Sequence, residues 1–237
     1  MNCSILTYPE RGPWGDPLWR GNCSGYIYKD IFDITIPDYK TEKRSFVDPM
    51  EGSGTSVEIA KELGIEAYGL DLKDGFNILK ETILGRIGKE VDVCVSHPPY
   101  HDMIVYSGKV WGDSPVEGDL SRCRDIEEFY EKMTMALVNQ RQAVKGGGWY
   151  GTIVGDLRRQ GQYYSIQAEI QARMDRTEYK ATLIKEQHNV FSGGKEYAGL
   201  RMPRIMHEYI LLWQKKEPGM MIRVVERSFR NVYEELS

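Results

Sequence analysis

Residues 96–100 read Ser-His-Pro-Pro-Tyr. Each proline fixes its own φ and lacks an N–H, and Pro98 drives His97 toward extended backbone. The product is a stiff shelf that presents backbone carbonyls, with the ring of Tyr100 at its lip. Such a shelf suits a flat, polar ring that bears an amino group. Carbonyls accept N–H donors, and an aromatic face can stack. Taken alone, the stretch would also serve as a plain proline turn.

A second stretch separates these alternatives. Asp48-Pro49-Met50-Glu51-Gly52-Ser53-Gly54-Thr55 follows a short apolar strand, Ser45-Phe46-Val47. A helix over residues 56–63 and a strand over 67–70 come next, and Asp71 ends that strand. Two glycines permit a tight turn and close backbone approach to a ligand, and a carboxylate at the neighbouring strand end can accept both hydroxyls of a ribose. Val57 occupies the third glycine position of the dinucleotide fingerprint, which disfavours NAD. A nucleoside-containing cofactor is the expectation.

These groups need elements to position them. The apolar run Val91-Asp92-Val93-Cys94-Val95 predicts a buried strand that delivers the proline shelf to the carboxyl edge of a sheet. Gly21-Asn22-Cys23-Ser24 precedes a periodic apolar run from Tyr26 to Phe32, so a helix starts there, with Asn22 or Ser24 as its cap. Exposed N–H groups at that start would line a small-molecule pocket. A helix is predicted over 125–143, ended by Gly146-Gly147-Gly148. A central strand follows over 149–154, then a helix over 165–174 and a strand over 179–186. Residues 1–20 read as an irregular arm rich in Pro, Gly and Trp. Residues 21–217 read as one domain, and 218–237 as a tail.

Bulk properties narrow the class. The 237 residues are enough for one domain with a real core. A net charge of −4 argues against a uniformly basic nucleic-acid binder but leaves room for a local basic face. Lys195, Arg201 and Arg204, with Lys215 and Lys216 nearby, supply such a face. Cys3, Cys23, Cys94 and Cys123 form no CxxC pair and no disulfide-like spacing, which points to reduced thiols and a cytoplasmic location. No apolar run reaches the length of a membrane span, and no charged-then-apolar signal opens the chain.

The two stretches together resemble the S-adenosylmethionine-dependent DNA amino-methyltransferases. Phe46-Val47-Asp48-Pro49-Met50-Glu51-Gly52-Ser53-Gly54-Thr55 looks like their cofactor motif D-P-F-x-G-S-G-T. Ser96 to Tyr100 looks like their catalytic (D/N/S)-P-P-(Y/F/W) motif, here as an H-P-P-Y variant. Arg20 to Ser24 is similar to the element near the methionine end of the cofactor, and His207 to Lys215 to the closing strand E-x-I-x-x-F-x-K. The resemblance covers residues 20–216. It implies an α/β, Rossmann-like fold with about seven mostly parallel strands and flanking helices. It further implies S-adenosyl-L-methionine held by Asn22, Cys23, Ser24, Asp48, Pro49, Met50, Gly52, Ser53, Gly54, Thr55, Asp71 and Asn77. Asp74 or Asn77 would reach the adenine ring near the end of a third strand, and Phe76 would pack on it. The implied substrate is DNA, with methyl transfer to N6 of adenine or N4 of cytosine in a flipped-out base. His97, Pro98, Pro99 and Tyr100 would then be catalytic: the Pro98 carbonyl accepts one amine N–H and Tyr100 stacks.

Two departures matter. The first motif position is His97, whose neutral imidazole accepts through one nitrogen only when the other carries the proton. Ser96 is the other candidate acceptor, though the prolines then fall out of register. Little chain also remains for target recognition. Loops 101–124 and 188–204 must read the site, or a homodimer or separate specificity partner does, or specificity is loose. In the first loop, Tyr106 and Trp111 either stack on a base or anchor the loop. The rival enzymatic reading is an RNA or protein-glutamine N-methyltransferase. The rival of another class is an inactive, cofactor-binding nucleic-acid module. His97, His101 and Asp102 are close in sequence, but the prolines deny them helical spacing and no third ligand is evident, so no metal is expected.

Overall fold

The computed structural model describes residues 3–188 and 202–216. β2 (Ser45–Asp48), α2 (Thr55–Glu62) and β3 (Glu66–Gly69) form the expected strand–turn–helix–strand unit. β4 (Val91–Ser96) follows, then α4 (Ile126–Ala143) and β5 (Val144–Val154). Upstream lie β1 (Ile5–Thr7) and α1 (Gly25–Thr35), with α3 (Ile83–Ile87) just before β4. A small antiparallel hairpin, β6 (Leu157–Arg159) and β7 (Gln162–Tyr164), precedes α5 (Ile166–Arg173), β8 (Tyr179–Glu186) and β9 (His207–Gln214).

Seven strands form one sheet in the order β1-β8-β9-β5-β4-β2-β3. β9 is antiparallel to both β5 and β8, and the remaining pairs are parallel. This is the Rossmann-like, seven-stranded, mostly parallel sheet expected from the sequence. Helices cover both faces. Val47, Cys94, Tyr150 and Trp213 face one core with α4 and α5. Phe46, Val93, Val95 and Leu212 face the other with α1 and α2. Alternation across two covered faces explains why β4 reads as an almost unbroken apolar run. Trp213 is fully buried and stacks on Tyr150 at 5.7 Å, and its replacement by Ala would cost about 3–5 kcal/mol. The buried Glu178 carboxylate anchors α4 to the start of β8. It accepts Arg141 Nε and Nη2 at 2.8 and 2.7 Å and the Tyr150 hydroxyl at 2.7 Å.

Three details differ from the sequence reading. The arm is not wholly irregular, because Ile5–Thr7 pairs with β8 as an edge strand. No strand lies between Asp71 and Glu90, where the resemblance implies a third one. Local capping prevails there: the Asp71 carboxylate accepts the Lys73 N–H, Gly75 turns left-handed at φ 85°, and Thr82 caps α3. The glycines Gly146 to Gly148 do not end α4, which stops at Ala143, but lie inside β5. They form an irregular stretch that exchanges backbone bonds with Lys215, and a Cβ on Gly148 would meet the Asp92 carbonyl oxygen at 3.0 Å.

Candidate active site at the carboxyl edge of the sheet

β2 sits between β3 and β4, so the chain leaves β2 in one direction across the sheet and returns on its other side. That reversal opens a crevice beyond the strand ends, the usual ligand position in such sheets. The glycine turn after β2 and the proline shelf after β4 therefore become neighbours. Between them lies a cleft of about 830 Å³ including its open mouth.

Of the residues expected to hold a cofactor, Asn22, Cys23, Pro49, Met50, Gly52, Ser53, Thr55, Asp71 and Asn77 line this cleft. Gly52 and Gly54 take φ of 55° and 85°, which side chains other than glycine rarely accept. The Asp71 carboxylate accepts the N–H groups of Gly52 and Lys73, each at 2.9 Å. It braces the turn from the neighbouring strand and keeps further lone pairs for a ligand hydroxyl. Burial pushes its pKa up.

Asp48, Ser24 and Gly54 do not line the cleft. Asp48 is buried beneath the turn, where it accepts Ser56 Oγ at 2.6 Å and the Met50 N–H at 2.9 Å. Burial pushes its carboxyl up to about 7. Ser24 occupies the cap position of α1 but makes no cap; its hydroxyl donates to the Arg11 carbonyl at 3.2 Å. Asn22 is no cap either, since its Oδ1 accepts Thr55 Oγ1 at 3.0 Å and so ties the segment ahead of α1 to the glycine turn. Burial raises the Cys23 thiol to about 12, with Glu208 adding to the effect, so it is an inert wall. The Asn77 amide bridges its own turn to the next loop, accepting the Leu79 N–H at 3.0 Å and donating to the Glu117 carbonyl at 3.1 Å. Phe76 also lines the cleft, whereas Asp74 is exposed and pairs with Lys73.

On the shelf, His97 and Pro99 line the cleft, and Pro98 and Tyr100 do not. His97 Nε2 lies 2.8 Å from the Tyr100 hydroxyl, which donates to Glu208 Oε1 at 2.9 Å. The Tyr100 ring packs so closely on Gly155 that a Cβ there would come within 2.7 Å of it. Burial lowers the His97 pKa, although Glu208 acts against this. The imidazole is therefore neutral at neutral pH. Ser96 is fully buried and bonded to Gln140 Nε2 at 2.8 Å, which removes it from the cleft, whereas His97 lines it.

Several lining residues were not read as site residues from the sequence. Trp19, from the arm, lies over the glycine turn; a Cβ on Gly52 would be 3.1 Å from its Nε1. Gly15 fits just as tightly against Ser53 and Thr55, and its N–H donates to Glu58 at 2.8 Å. Glu51, Asp119 and Leu120 also face the cleft. The tryptophan-rich composition of the arm was the available signal for Trp19, but an irregular segment has no periodicity to show which way it faces. Tyr106 lines the cleft, and its hydroxyl anchors the loop to the Arg20 carbonyl at 3.2 Å. Trp111 lines the cleft as well. Loop 101–124 is packed around the buried Asp119, which accepts Ser107 and Ser121 N–H groups at 2.8 Å each.

Arg204 is exposed ahead of β9, while Lys195 and Arg201 lie outside the described residues, as does most of loop 188–204 and the whole 218–237 tail. Among the described residues, no three His, Cys, Asp or Glu side chains gather into a metal site, and no helix is long and apolar enough to cross a membrane.

No protein-family model matches the chain, and no curated protein does either. Solved structures with a similar course include TrmN from Thermus thermophilus, at 14% identity and TM-score 0.49, covering 83% of this chain and 50% of that one. A protein described as a candidate DNA modification methylase, also from Thermus thermophilus and complexed with S-adenosyl-L-methionine, matches at 20% identity and TM-score 0.36, over 75% of this chain and 57% of its own. A methyltransferase from Pyrococcus furiosus matches at 13% identity and TM-score 0.43, over 87% and 88%. The chain thus spans about half the length of the first two. The strand order described above, rather than these distant likenesses, defines the fold.

Proposed function

We propose that the chain is an S-adenosylmethionine-dependent methyltransferase that modifies an exocyclic amino group of a nucleic-acid base, with DNA as the substrate. The observation that carries this reading is the meeting, in one cleft, of the two-glycine turn braced by Asp71 and the rigid shelf that presents His97. The cleft floor combines the left-handed Gly52, which allows close approach, with a carboxylate that keeps acceptor capacity. These features fit a nucleoside cofactor: Asp71 would take the ribose hydroxyls, Asn22, Pro49, Met50, Gly52, Ser53 and Thr55 would enclose the rest, and Phe76 and Asn77 would meet the adenine. When bound, the cofactor supplies an electrophilic methyl group.

The chain's own contribution is acceptance and placement. An exocyclic amine is a poor nucleophile because its lone pair is delocalised into the ring. Acceptors on its hydrogens favour a pyramidal nitrogen, and fixed geometry aligns that nitrogen for transfer. His97, which lines the cleft, provides one acceptor, and the resemblance assigns the other to the Pro98 carbonyl. Pro99 and Tyr100 hold the shelf rigid, the Tyr100 ring being packed on Gly155. Arg204, with Lys195 and Arg201, would contact phosphates.

Nucleoside mass spectrometry after incubation of DNA with the protein and methyl-labelled cofactor tests the reading. Label in N6-methyladenine or N4-methylcytosine is the expected result. Label in RNA or on protein glutamine instead would move the substrate, and no label with cofactor binding intact would leave an inactive binder.

A further inference from the structure

Behind the shelf lies a chain of buried polar groups that the reaction as described does not use. β8 and β9 pair so that Lys185 stands opposite Glu208. Lys185 Nζ donates to Glu208 Oε2 at 3.1 Å, and Gln187 Nε2 donates to Oε1 at 2.8 Å. Glu208 and Lys185 are 6% and 9% exposed, where an ordinary strand would place apolar side chains. A buried ion pair is costly, so its presence at this point calls for a role.

The hydrogen inventory of these groups has one solution. Lys185 can only donate. Burial pushes the Glu208 carboxyl up, but the Lys185 charge, with hydrogen bonds from Gln187 and Tyr100, outweighs it and holds the group below the ordinary carboxylate value. Glu208 is therefore ionised and can only accept. The Tyr100 hydroxyl has one hydrogen, and because Glu208 can only accept, that hydrogen must go to Oε1, 2.9 Å away. At its 2.8 Å contact with His97 Nε2, the phenol oxygen must then be the acceptor. Nε2 carries the ring proton, and the neutral imidazole keeps its lone pair on Nδ1.

We propose that Lys185, Glu208 and Tyr100 form a positioning relay that holds His97 as the Nε2–H tautomer, so that Nδ1 is the acceptor the shelf offers to the amine. This rests on the methyltransferase reading for its purpose, though not for its geometry. It explains how histidine can stand where the resembled family has Asp, Asn or Ser. Those side chains carry a ready acceptor oxygen, whereas an imidazole is an acceptor at a chosen nitrogen only if the other is kept protonated. The titratable groups that act on this ring and its tyrosine are Lys185 from β8, Glu208 from β9, the neutral Cys23 thiol ahead of α1 and the Tyr106 phenol from loop 101–124.

The test is ¹⁵N NMR of the full chain with labelled histidine, with the His97 signals assigned by loss in His97→Asn. The expected spectrum at neutral pH shows a protonated Nε2 and an unprotonated Nδ1. Tyr100→Phe and Glu208→Gln should each abolish this single tautomer. Glu208→Gln should also lower kcat about tenfold at an unchanged cofactor KM, since a mixed tautomer forfeits part of the acid–base contribution. Its acid limb should move to lower pH, because Glu208 normally raises the His97 pKa. A protonated Nδ1 in the unmodified protein overturns the relay, as does a tautomer indifferent to both substitutions. The spectrum needs no turnover, so the two ideas fail separately. A wrong tautomer in a protein that methylates DNA sinks the relay alone. The expected tautomer in a protein that methylates nothing sinks the methyltransferase reading alone.

Discussion

The two turns that meet in the cleft end neighbouring parallel strands, yet they are held in different ways. The glycine turn after β2 is braced from within its own unit. Asp48 beneath it and Asp71 at the next strand end bind its backbone N–H groups. The proline turn after β4 has a locally stiff backbone, but its functional side chain is held from afar. His97 reaches Tyr100, and Tyr100 reaches Glu208 on a strand that pairs with neither β4 nor β2. A surface that holds a cofactor can thus be built from backbone shape and one local unit. A group that must present a chosen nitrogen needs partners that only long-range pairing supplies.

The sharpest way to break this comparison is His97→Ala. Methyl transfer should fall by at least about 100-fold, in line with loss of a positioned acceptor or base. Cofactor affinity measured by calorimetry should stay within about twofold. Comparable loss of both would show that the turns are not separable. Asp71→Ala should do the reverse, weakening cofactor binding by about 10- to 100-fold, the value of hydrogen bonds to a charged acceptor. Unchanged affinity would remove Asp71 from the site. Trp19→Ala should uncover the glycine turn and cost about 1 kcal/mol of cofactor affinity, seen as faster dissociation in stopped flow. An unaffected rate would make the arm a bystander.

Two pH effects are smaller. The His97 pKa lies below its ordinary value of 6.5, so transfer should persist at pH 6.5 and fail only as the pH drops further, when protonation removes the acceptor. A midpoint above 6.5 would contradict the environment described. Asp48 has the opposite linkage to a paired surface carboxylate. Its folded pKa is raised from 3.8 to about 7, so the stability it contributes is present below 3.8 and is lost as the pH rises through 7. Thermal melts of Asp48→Asn should show a flatter pH dependence over that window than the unmodified protein.

Much of the frame was legible in the order of residues. The sequence Ser45 to Asp71 carries its own evidence, since strand, left-handed glycines, helix and terminal acid are local signals. The strands over 149–154 and 179–186 and the helix over 126–143 were legible because period and length agree. The strand formed by Ile5–Thr7 was not, because three residues show no period and pair only with β8 far along the chain. The glycines of β5 misled, since a glycine run marks a helix stop or a bulged strand equally well.

The candidate site divides along the same line. Residue order alone determined that a two-glycine turn with Asp71 and a rigid proline shelf exist, because φ restriction and left-handed freedom are properties of single residues. Only the tertiary structure decided that Asp48 and Ser24 turn away from the cleft, that Trp19 covers it, and that Ser96 is buried while His97 faces it. It alone decided that Lys185 and Glu208 stand behind Tyr100. A hydrogen bond between Tyr100 and Glu208 depends on the sheet order that brings β9 beside β5, one strand away from β4, and no local pattern encodes which distant strand will lie there.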